Sequence, residues 1–224
     1  MTAGRLPAPR TAPLEVHWVD LDTMGPADAL AARVSDVERA RAARFARPVL
    51  RQRYLAAHAW LREHLAERTG QAPLALQFVT GPYGKPALQG ATGPAFNLSH
   101  SDHLAVVATA PSGDIGVDVE CRVPMADAEA LAAQHFTAAE RRELADGGPA
   151  AQVQRFLLGW TRKEACMKAA GCGLQVEPVA IATGLSTDDR SVAFEGPDGP
   201  VAVRVASCTD LPDRVVSWAW RTDR

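Results

Sequence analysis

The chain has 224 residues, 47% of them hydrophobic and 22% charged, and its 17 Gly and 16 Pro follow no regular period. This composition is typical of a globular protein and excludes collagen-like and largely disordered chains. The net charge of −2 argues against wholesale binding to nucleic acid or to an anionic membrane. No apolar run approaches the length of a membrane span or of a signal-peptide core, so we expect a cytoplasmic protein.

The first half of the chain predicts a strand followed by helices, after a loose, flexible, Pro-rich lead-in over residues 1–13. Ser35 or Asp36 is the expected N-cap of a short helix, Pro48 suits the first turn of a long helix, and Gly70 ends it. The predicted elements are a strand over Leu14–Asp20, one or two short helices within Ala27–Arg47, and a long helix over Pro48–Arg68.

The segment from Arg33 to Arg68 contains nine Arg and only four acidic residues. A solvated helix face explains such a bias. A site that meets an anion also explains it, and the sequence leaves both interpretations open.

The middle of the chain predicts short strands separated by turns. Leu74–Thr80 is strand-like, and the Gly81–Pro86 run has the composition of a tight turn. Three further strands are predicted over Ala95–Ser99, His103–Ala110 and Ile115–Glu120, with residues 100–102 as the connection between the first two.

The second half repeats the order of helices followed by strands. Thr137 and Glu140 form a capping box, glycines at 147 and 148 break that helix, and Gln152–Ala170 forms a second long helix ended by Gly171. Strands are predicted over Val192–Phe194, Val201–Ala206 and Val215–Trp220. We therefore expect two similar α+β halves, residues 14–112 and 113–224.

The four cysteines form no C-x-x-C pair and have no His at zinc-finger spacing, so we expect reduced, mostly buried thiols. They are Cys121, Cys166, Cys172 and Cys208. The chain has 21 Arg but only three lysines, Lys85, Lys163 and Lys168. A lysine retained in such a chain is a candidate for contacting phosphate as a compact point charge, although chance explains its presence equally well.

A pair of carboxylates lies on the predicted strand Ile115–Glu120. Because strand side chains alternate, Asp118 and Glu120 share one face with Gly116, about 6.6 Å apart along the strand. A half-exposed strand with a polar face has the same pattern. The functional alternative is a pair of oxygen ligands for Mg²⁺.

A third carboxylate lies on the apolar stripe of the second long helix. Glu164 falls angularly between Leu157 and Trp160, where an unpaired charge would be costly. Lys168 follows at i+4, so an ordinary helix salt bridge is one interpretation. The other is that Glu164 joins Asp118 and Glu120 around one Mg²⁺ that also takes substrate phosphate.

The Phe96–Ser101 run places polar donors at the end of a strand. Its Ser–His neighbours lack the G-x-S-x-G elbow of a serine hydrolase, so Ser99 and His100 are better candidates for phosphate contact or for a structural turn.

Four ordered blocks of the sequence resemble the Sfp-type 4′-phosphopantetheinyl transferases, over most of the chain. They are Tyr83-Gly84-Lys85-Pro86, Phe96-Asn97-Leu98-Ser99-His100-Ser101, Ile115-Gly116-Val117-Asp118-Val119-Glu120, and Trp160-x-x-Lys163-Glu164-Ala165-x-x-Lys168-x-x-Gly171-x-Gly173. Each block alone is weak evidence, whereas all four in order are strong evidence. The three lysines all fall within them.

The resemblance implies a pseudo-dimer of two α+β halves in one chain, with coenzyme A (CoA) and the metal in the cleft between them. It implies a monomer that transfers the 4′-phosphopantetheine arm of CoA to a serine of an apo acyl or peptidyl carrier protein. The second product is adenosine 3′,5′-bisphosphate. The carrier could belong to fatty-acid, polyketide or nonribosomal-peptide synthesis.

The resemblance also assigns the site residues. It implies that Asp118, Glu120 and Glu164 hold Mg²⁺, and that Glu164 or Lys168 takes the proton of the attacking hydroxyl. The residues that match positions near CoA are Arg41, Lys85, Asn97, Ser99, His100 and Lys168.

Two other functions remain open on the sequence. The same three carboxylates could serve another Mg²⁺-dependent phosphate-cleaving enzyme, which leaves the Gly-Lys-Pro and Ser-His blocks unexplained. The chain could also be a non-catalytic module that binds carrier proteins, against which the intact carboxylates and Lys168 argue.

Overall fold

A computed structural model describes residues 2–8, 12–90, 93–146 and 148–223 and has the expected α+β architecture. Two antiparallel four-stranded sheets pack face to face, and helices cover their outer faces. The core between the sheets includes Val16, Val106, Val117 and Trp218, all nearly inaccessible to solvent. No helix in the described ranges is long and apolar enough to cross a membrane.

The first sheet has the strand order β1-β2-β6-β5, and its outer face is covered by three helices. Ser35 caps α2 in a full capping box with Glu38, and α3 begins at Pro48 and ends at left-handed Gly70, as expected. The elements of this half are β1 (Ala3–Leu6), β2 (Glu15–Asp20), α1 (Ala27–Ala31), α2 (Asp36–Ala42), α3 (Pro48–Thr69), the hairpin β3 (Phe78–Thr80) and β4 (Pro86–Leu88), β5 (Ala95–Ser101) and β6 (Leu104–Ala110).

The second sheet has the strand order β7-β10-β9-β8, and helix α6 covers its outer face. The elements of this half are β7 (Ile115–Cys121), α4 (Ala128–His135), α5 (Ala138–Asp146), α6 (Gly148–Ala170), β8 (Arg190–Gly196), β9 (Gly199–Cys208) and β10 (Arg214–Arg221). The four cysteines are free and buried, as expected.

The two halves share an order of elements. In the first half β2 pairs with the last strand, β6, and in the second half β7 pairs with the last strand, β10; a long helix lies between the two paired strands in each case. In each half the glutamate of a capping box also contacts that long helix: Glu38 accepts from Arg62 Nε at 2.7 Å, and Glu140 accepts from Lys163 Nζ at 2.8 Å. The expected boundary near residue 112 falls in the link between β6 and β7.

Four elements differ from the expectation. Ala3–Leu6, expected to be a flexible lead-in, forms the edge strand β1, which pairs with β2, while residues 1 and 9–11 lie outside the described ranges. Helix α4 was not expected, and α6 starts at Gly148 rather than Gln152, with the predicted break at residue 147 outside the described residues. Strand β5 continues through Ser101, so His100 belongs to the strand rather than to a connection.

Side-chain hydrogen bonds join the two sheets where β5 meets β7. Asn97 Oδ1 accepts from Val117 N at 2.8 Å, Ser99 Oγ donates to Asp118 Oδ1 at 2.8 Å, and Ser101 Oγ accepts from Cys121 N at 3.2 Å. These contacts place the polar face of β7 between β5 and α6.

Candidate active site

A lysine, a serine and an aspartate from three elements meet at the junction of the two halves. Lys168 Nζ, on α6, donates to Asp118 Oδ1 at 2.6 Å, to Ser99 Oγ at 3.2 Å and to Val117 O at 3.3 Å. The Asp118 side chain is 7% exposed and that of Lys168 28%. An ammonium held by an anion and open to the cleft on one side is suited to contact a phosphate.

The close approach of α6 to β7 depends on Gly116. A Cβ at this position would lie 2.5 Å from Ala169 N and 2.9 Å from Lys168 Cβ, and it would also collide with Ala165 O. Gly116 therefore permits the helix that carries Glu164 and Lys168 to lie directly over the strand that carries Asp118.

Glu120 lies two residues beyond Asp118 on the same strand face. Its Oε2 accepts a hydrogen bond from Ser101 Oγ at 2.7 Å. Burial raises the pKa of Glu120, the charge of Asp118 raises it further, and the Ser101 hydrogen bond opposes both effects. A nearby cation would therefore stabilise the ionised form of Glu120.

Glu164 is partly buried one helical turn before Lys168. Burial raises its pKa, the charges of Asp118 and then Glu120 add to this effect, and Lys168 opposes them. The helix salt bridge considered from the sequence is replaced by an ion pair across the junction, since the 2.6 Å partner of Lys168 is Asp118.

Lys85 reaches the same helix from the β3–β4 hairpin. Its Nζ donates to Ala169 O at 3.3 Å and lies 3.9 Å from Asp114 Oδ1. A groove of about 330 Å³ adjoins it, with Gly171 and Phe96 among its lining residues. Lys85 therefore contacts the residue that follows Lys168 on α6.

His100 lies beside the cluster, and Arg41 lies further away. Desolvation lowers the pKa of His100, and the charges of His58 and Lys168 lower it further. Part of the His100 side chain nevertheless remains exposed to solvent. Arg41 is exposed at the end of α2, with its guanidinium 5.7 Å from the ring centre of Tyr54. The centre of the Tyr54 ring in turn lies 4.2 Å from that of the His58 ring.

Asn97 and Ser99, two further predicted CoA contacts, hydrogen-bond across the junction of the two halves. The carboxamide oxygen of buried Asn97 accepts from a β7 amide, and Ser99 donates to Asp118. Their assignment as CoA contacts stays a prediction.

The residues present fit a divalent cation, although the site is not preformed. Across the described part of the chain, no three His, Cys, Asp or Glu side chains are arranged to hold a metal ion. However, Asp118 Oδ2 is buried without a hydrogen-bond partner among the described residues. A buried carboxylate oxygen that accepts no hydrogen bond is costly, and a cation would compensate it. Together with the two neighbouring acids whose pKa values are raised, it offers the oxygen ligands that a hard cation prefers.

Ser101, the residue that holds Glu120, was not among the predicted site residues. Its signal was the i, i+2 spacing with Ser99, which places both serines on one face of an extended strand. It was overlooked because residues 100–102 were expected to form a connection.

Comparison with known proteins identifies a family for this architecture. Residues 114–216 match the model of the 4′-phosphopantetheinyl transferase superfamily. The chain is 30% identical over 189 residues to the 4′-phosphopantetheinyl transferase of Bacillus subtilis, covering 83% of each protein. It is 40% identical over 158 residues to the 4′-phosphopantetheinyl transferase HetI of Nostoc sp. PCC 7120, covering 68% of this chain and 66% of HetI.

Other relatives match over shorter stretches. The 4′-phosphopantetheinyl transferase AcpT of Escherichia coli K12 is 35% identical over 121 residues, which is 54% of this chain and 58% of AcpT. The chain spans 59% of the length of a Synechocystis relative, at 35% identity.

Proposed function

Because this chain belongs to the 4′-phosphopantetheinyl transferase superfamily, we propose that it transfers the 4′-phosphopantetheine arm of CoA to a serine of an apo carrier protein. The products are the holo carrier protein and adenosine 3′,5′-bisphosphate. The observation that carries the proposal is the junction cluster, in which Lys168 contacts both Asp118 and Ser99.

Phosphoryl transfer depends mainly on positioning and on charge neutralisation, and the cluster supplies both. The carrier serine Oγ forms a bond to the phosphorus that bears pantetheine, and the bond from that phosphorus to the bridging oxygen breaks. Lys168 neutralises charge on the departing nucleoside phosphate. Asp118 and Ser99 hold the lysine in place for this role.

Glu164 takes the proton of the attacking hydroxyl in this proposal. Lys168 is the weaker candidate because its ammonium already donates to three acceptors, on Asp118, Ser99 and Val117. Glu164 lies one helical turn before Lys168 and, as a carboxylate, can accept the proton.

Asp118, Glu120 and Glu164 would hold Mg²⁺, which would neutralise charge on the pyrophosphate oxygens when bound. The unpartnered Oδ2 of Asp118 supports this assignment. Lys85, which donates to Ala169 O, and His100, whose pKa is affected by the charge of Lys168, would contact the CoA nucleotide, with Arg41 at its outer end.

One chain is sufficient for this site, because β5 of one half and β7 and α6 of the other half form it. We therefore propose an active monomer. We place the reaction in the cytoplasm, in keeping with four free, buried cysteines.

The test is incubation of the protein with CoA, Mg²⁺ and a panel of apo carrier proteins, read by mass spectrometry. A mass gain equal to one phosphopantetheine arm on the carrier serine supports the proposal and identifies the carrier class. Hydrolysis of CoA without modification of any carrier would favour a different phosphate-cleaving enzyme. Binding of carrier without turnover would favour a non-catalytic module.

A further inference from the structure

Of the three lysines, only Lys163 has a side chain with no exposed area. Its Nζ donates to Glu140 Oε2 at 2.8 Å, to Pro178 O at 3.0 Å and to Ile181 O. An ammonium group has three N–H donors, and all three are used inside the protein. Lys163 therefore has none left for a phosphate, which sets it apart from the phosphate contact considered for each retained lysine.

Glu140 connects Lys163 to two further segments of the second half. Its Oε2 accepts from Thr137 N at 2.9 Å, at the start of α5. Its Oε1 accepts from Thr183 N at 2.8 Å and from Gly184 N at 3.0 Å, in the segment that follows α6. A rotation of α6 about its axis, or a slide along it, would break these buried contacts.

The first half contains the same arrangement around Arg62. Its Nε donates to Glu38 Oε2 at 2.7 Å, and one Nη donates to Pro73 O at 2.9 Å and to Leu76 O at 3.1 Å. In both halves the glutamate belongs to a capping box, and the two carbonyls belong to a proline after the long helix and to the residue three positions later. Arg62 and Lys163 therefore occupy equivalent positions.

A glutamate follows each of these two cations in the sequence. In the first half Glu63 accepts from Arg33 Nε at 2.8 Å and from Arg33 Nη2 at 2.7 Å. In the second half Glu164 lies among the carboxylates of the candidate site, about 100° around α6 from Lys163. The same buried arrangement thus supports a surface ion pair in one half and a site residue in the other.

From this equivalence we infer that Lys163 is a positioning residue, whose buried contacts hold α6 in the orientation that directs Glu164 towards Asp118 and Glu120. The inference rests on the proposed function, in which Glu164 holds Mg²⁺ and accepts the proton. Lys163 acts through Glu164 and does not touch CoA, whereas Lys168 contacts the departing phosphate.

The test uses Lys163→Met, which keeps an unbranched side chain but removes the charge and all three donors. Arg62→Met is the matched control, because it breaks the equivalent contacts in the half that lacks the three carboxylates. For both variants we would measure Tm, kcat at saturating CoA, and the affinities for CoA without Mg²⁺ and for Mg²⁺ by calorimetry.

Both variants should lower Tm by roughly 6–20 °C, because each leaves a buried glutamate without its cation. Only Lys163→Met should also lower kcat and the affinity for Mg²⁺, each by about 10–100-fold, the usual effect of losing a residue that supports a metal ligand. Its affinity for CoA should stay near the wild-type value.

Glu140→Gln keeps the test decisive if Lys163→Met does not fold. It keeps the shape of the side chain and an oxygen for the Thr183 and Gly184 amides, but it removes the charge that holds Lys163. Because this change lies on α5, it should lower kcat and the Mg²⁺ affinity in the same way and leave the CoA affinity unchanged.

A loss of CoA affinity in Lys163→Met but not in Arg62→Met would assign Lys163 to the phosphate and overturn the inference. Equal losses of kcat in these two variants, or a lowered Tm with a normal kcat in Lys163→Met or Glu140→Gln, would also overturn it, because the role would then be stability alone. A wild type that binds CoA and Mg²⁺ but modifies no carrier would refute only the proposed function, since the Mg²⁺ affinities of the variants still decide the role of Lys163.

Discussion

Replacement of Gly116 by alanine tests whether the packing of α6 on β7 sets the rate. The added Cβ would lie 2.5 Å from Ala169 N, whereas ordinary contacts begin at 3.4 Å. Relief of this contact requires a movement of about 1 Å between helix and strand. The atoms in the way include the backbone of α6, so a change of side-chain rotamer cannot provide it.

The displacement has two calculable consequences. Overpacking of this kind costs about 1–3 kcal/mol of stability. In a chain of this length that cost lowers Tm by roughly 2–12 °C. Because Lys168 and Glu164 move with the helix while Asp118 stays on the strand, kcat should fall by about 10²-fold, the effect of a 1 Å misplacement.

The assay is the rate of carrier modification at saturating CoA, with Tm measured on the same samples. The control is Gly159→Ala, on the same helix, where the atoms nearest the added Cβ are side-chain atoms of Leu185 and Phe136, at 2.5–2.8 Å. Those buried side chains must give way, so this variant should also lower Tm, but it leaves the contact between α6 and β7 unchanged and should keep a rate near that of the wild type. A Gly116→Ala protein with a normal rate and a normal Tm would refute the close packing. A normal rate with a lowered Tm would show that the position of the helix does not set the rate.

Three further predictions concern charge and pH. Lys168→Ala should lower kcat by about 10²-fold or more with little change in Tm, and Lys168→Arg should restore kcat only in part. A kcat near the wild-type value in Lys168→Ala would show that the lysine has only a structural role. CoA at a hundredfold excess over Kd should stabilise the fold by about 2.7 kcal/mol. Dephospho-CoA should stabilise the wild type less than CoA does, and this difference should disappear in His100→Ala. Identical protection by both ligands in the wild type would argue against a contact between His100 and the 3′-phosphate. Burial, then the charges of Arg68 and His17, lower the pKa of His64 from 6.5 to about 3, so stability should be full above pH 6.5 and fall as the pH drops towards 3, by up to about 4 kcal/mol. Urea unfolding at pH 7 and pH 4 should show a smaller loss for His64→Phe than for the wild type, and equal losses would contradict this cause.

The helices with local signals were predictable from the sequence. The Ser35 capping box and the Pro48 and Gly70 boundaries depend on neighbouring residues alone, and the structure has all three. Strand β1 was not predictable, because it is held by pairing with β2 rather than by its own composition. Helix α4 was missed because its N-cap, Asp127, makes no capping hydrogen bond.

In the candidate site, too, some features follow from neighbouring residues and others depend on the tertiary fold. Strand alternation placed Asp118 and Glu120 on one face, and the structure directs that face towards α6. The partner of Lys168 could not be derived in this way. An i+4 neighbour was available on the helix, and only the approach of β7 across Gly116 makes Asp118 the closer anion.

The most direct test of the proposed reaction is the stoichiometry of its two products. Wild type and Asp118→Ala are incubated with CoA, Mg²⁺ and an apo carrier protein, and the holo carrier and adenosine 3′,5′-bisphosphate are quantified together. We expect equal amounts of the two products from the wild type and neither from the variant, which should keep a folded circular dichroism spectrum. Nucleotide release without holo carrier, or a folded Asp118→Ala protein with a near-normal rate, would contradict the account.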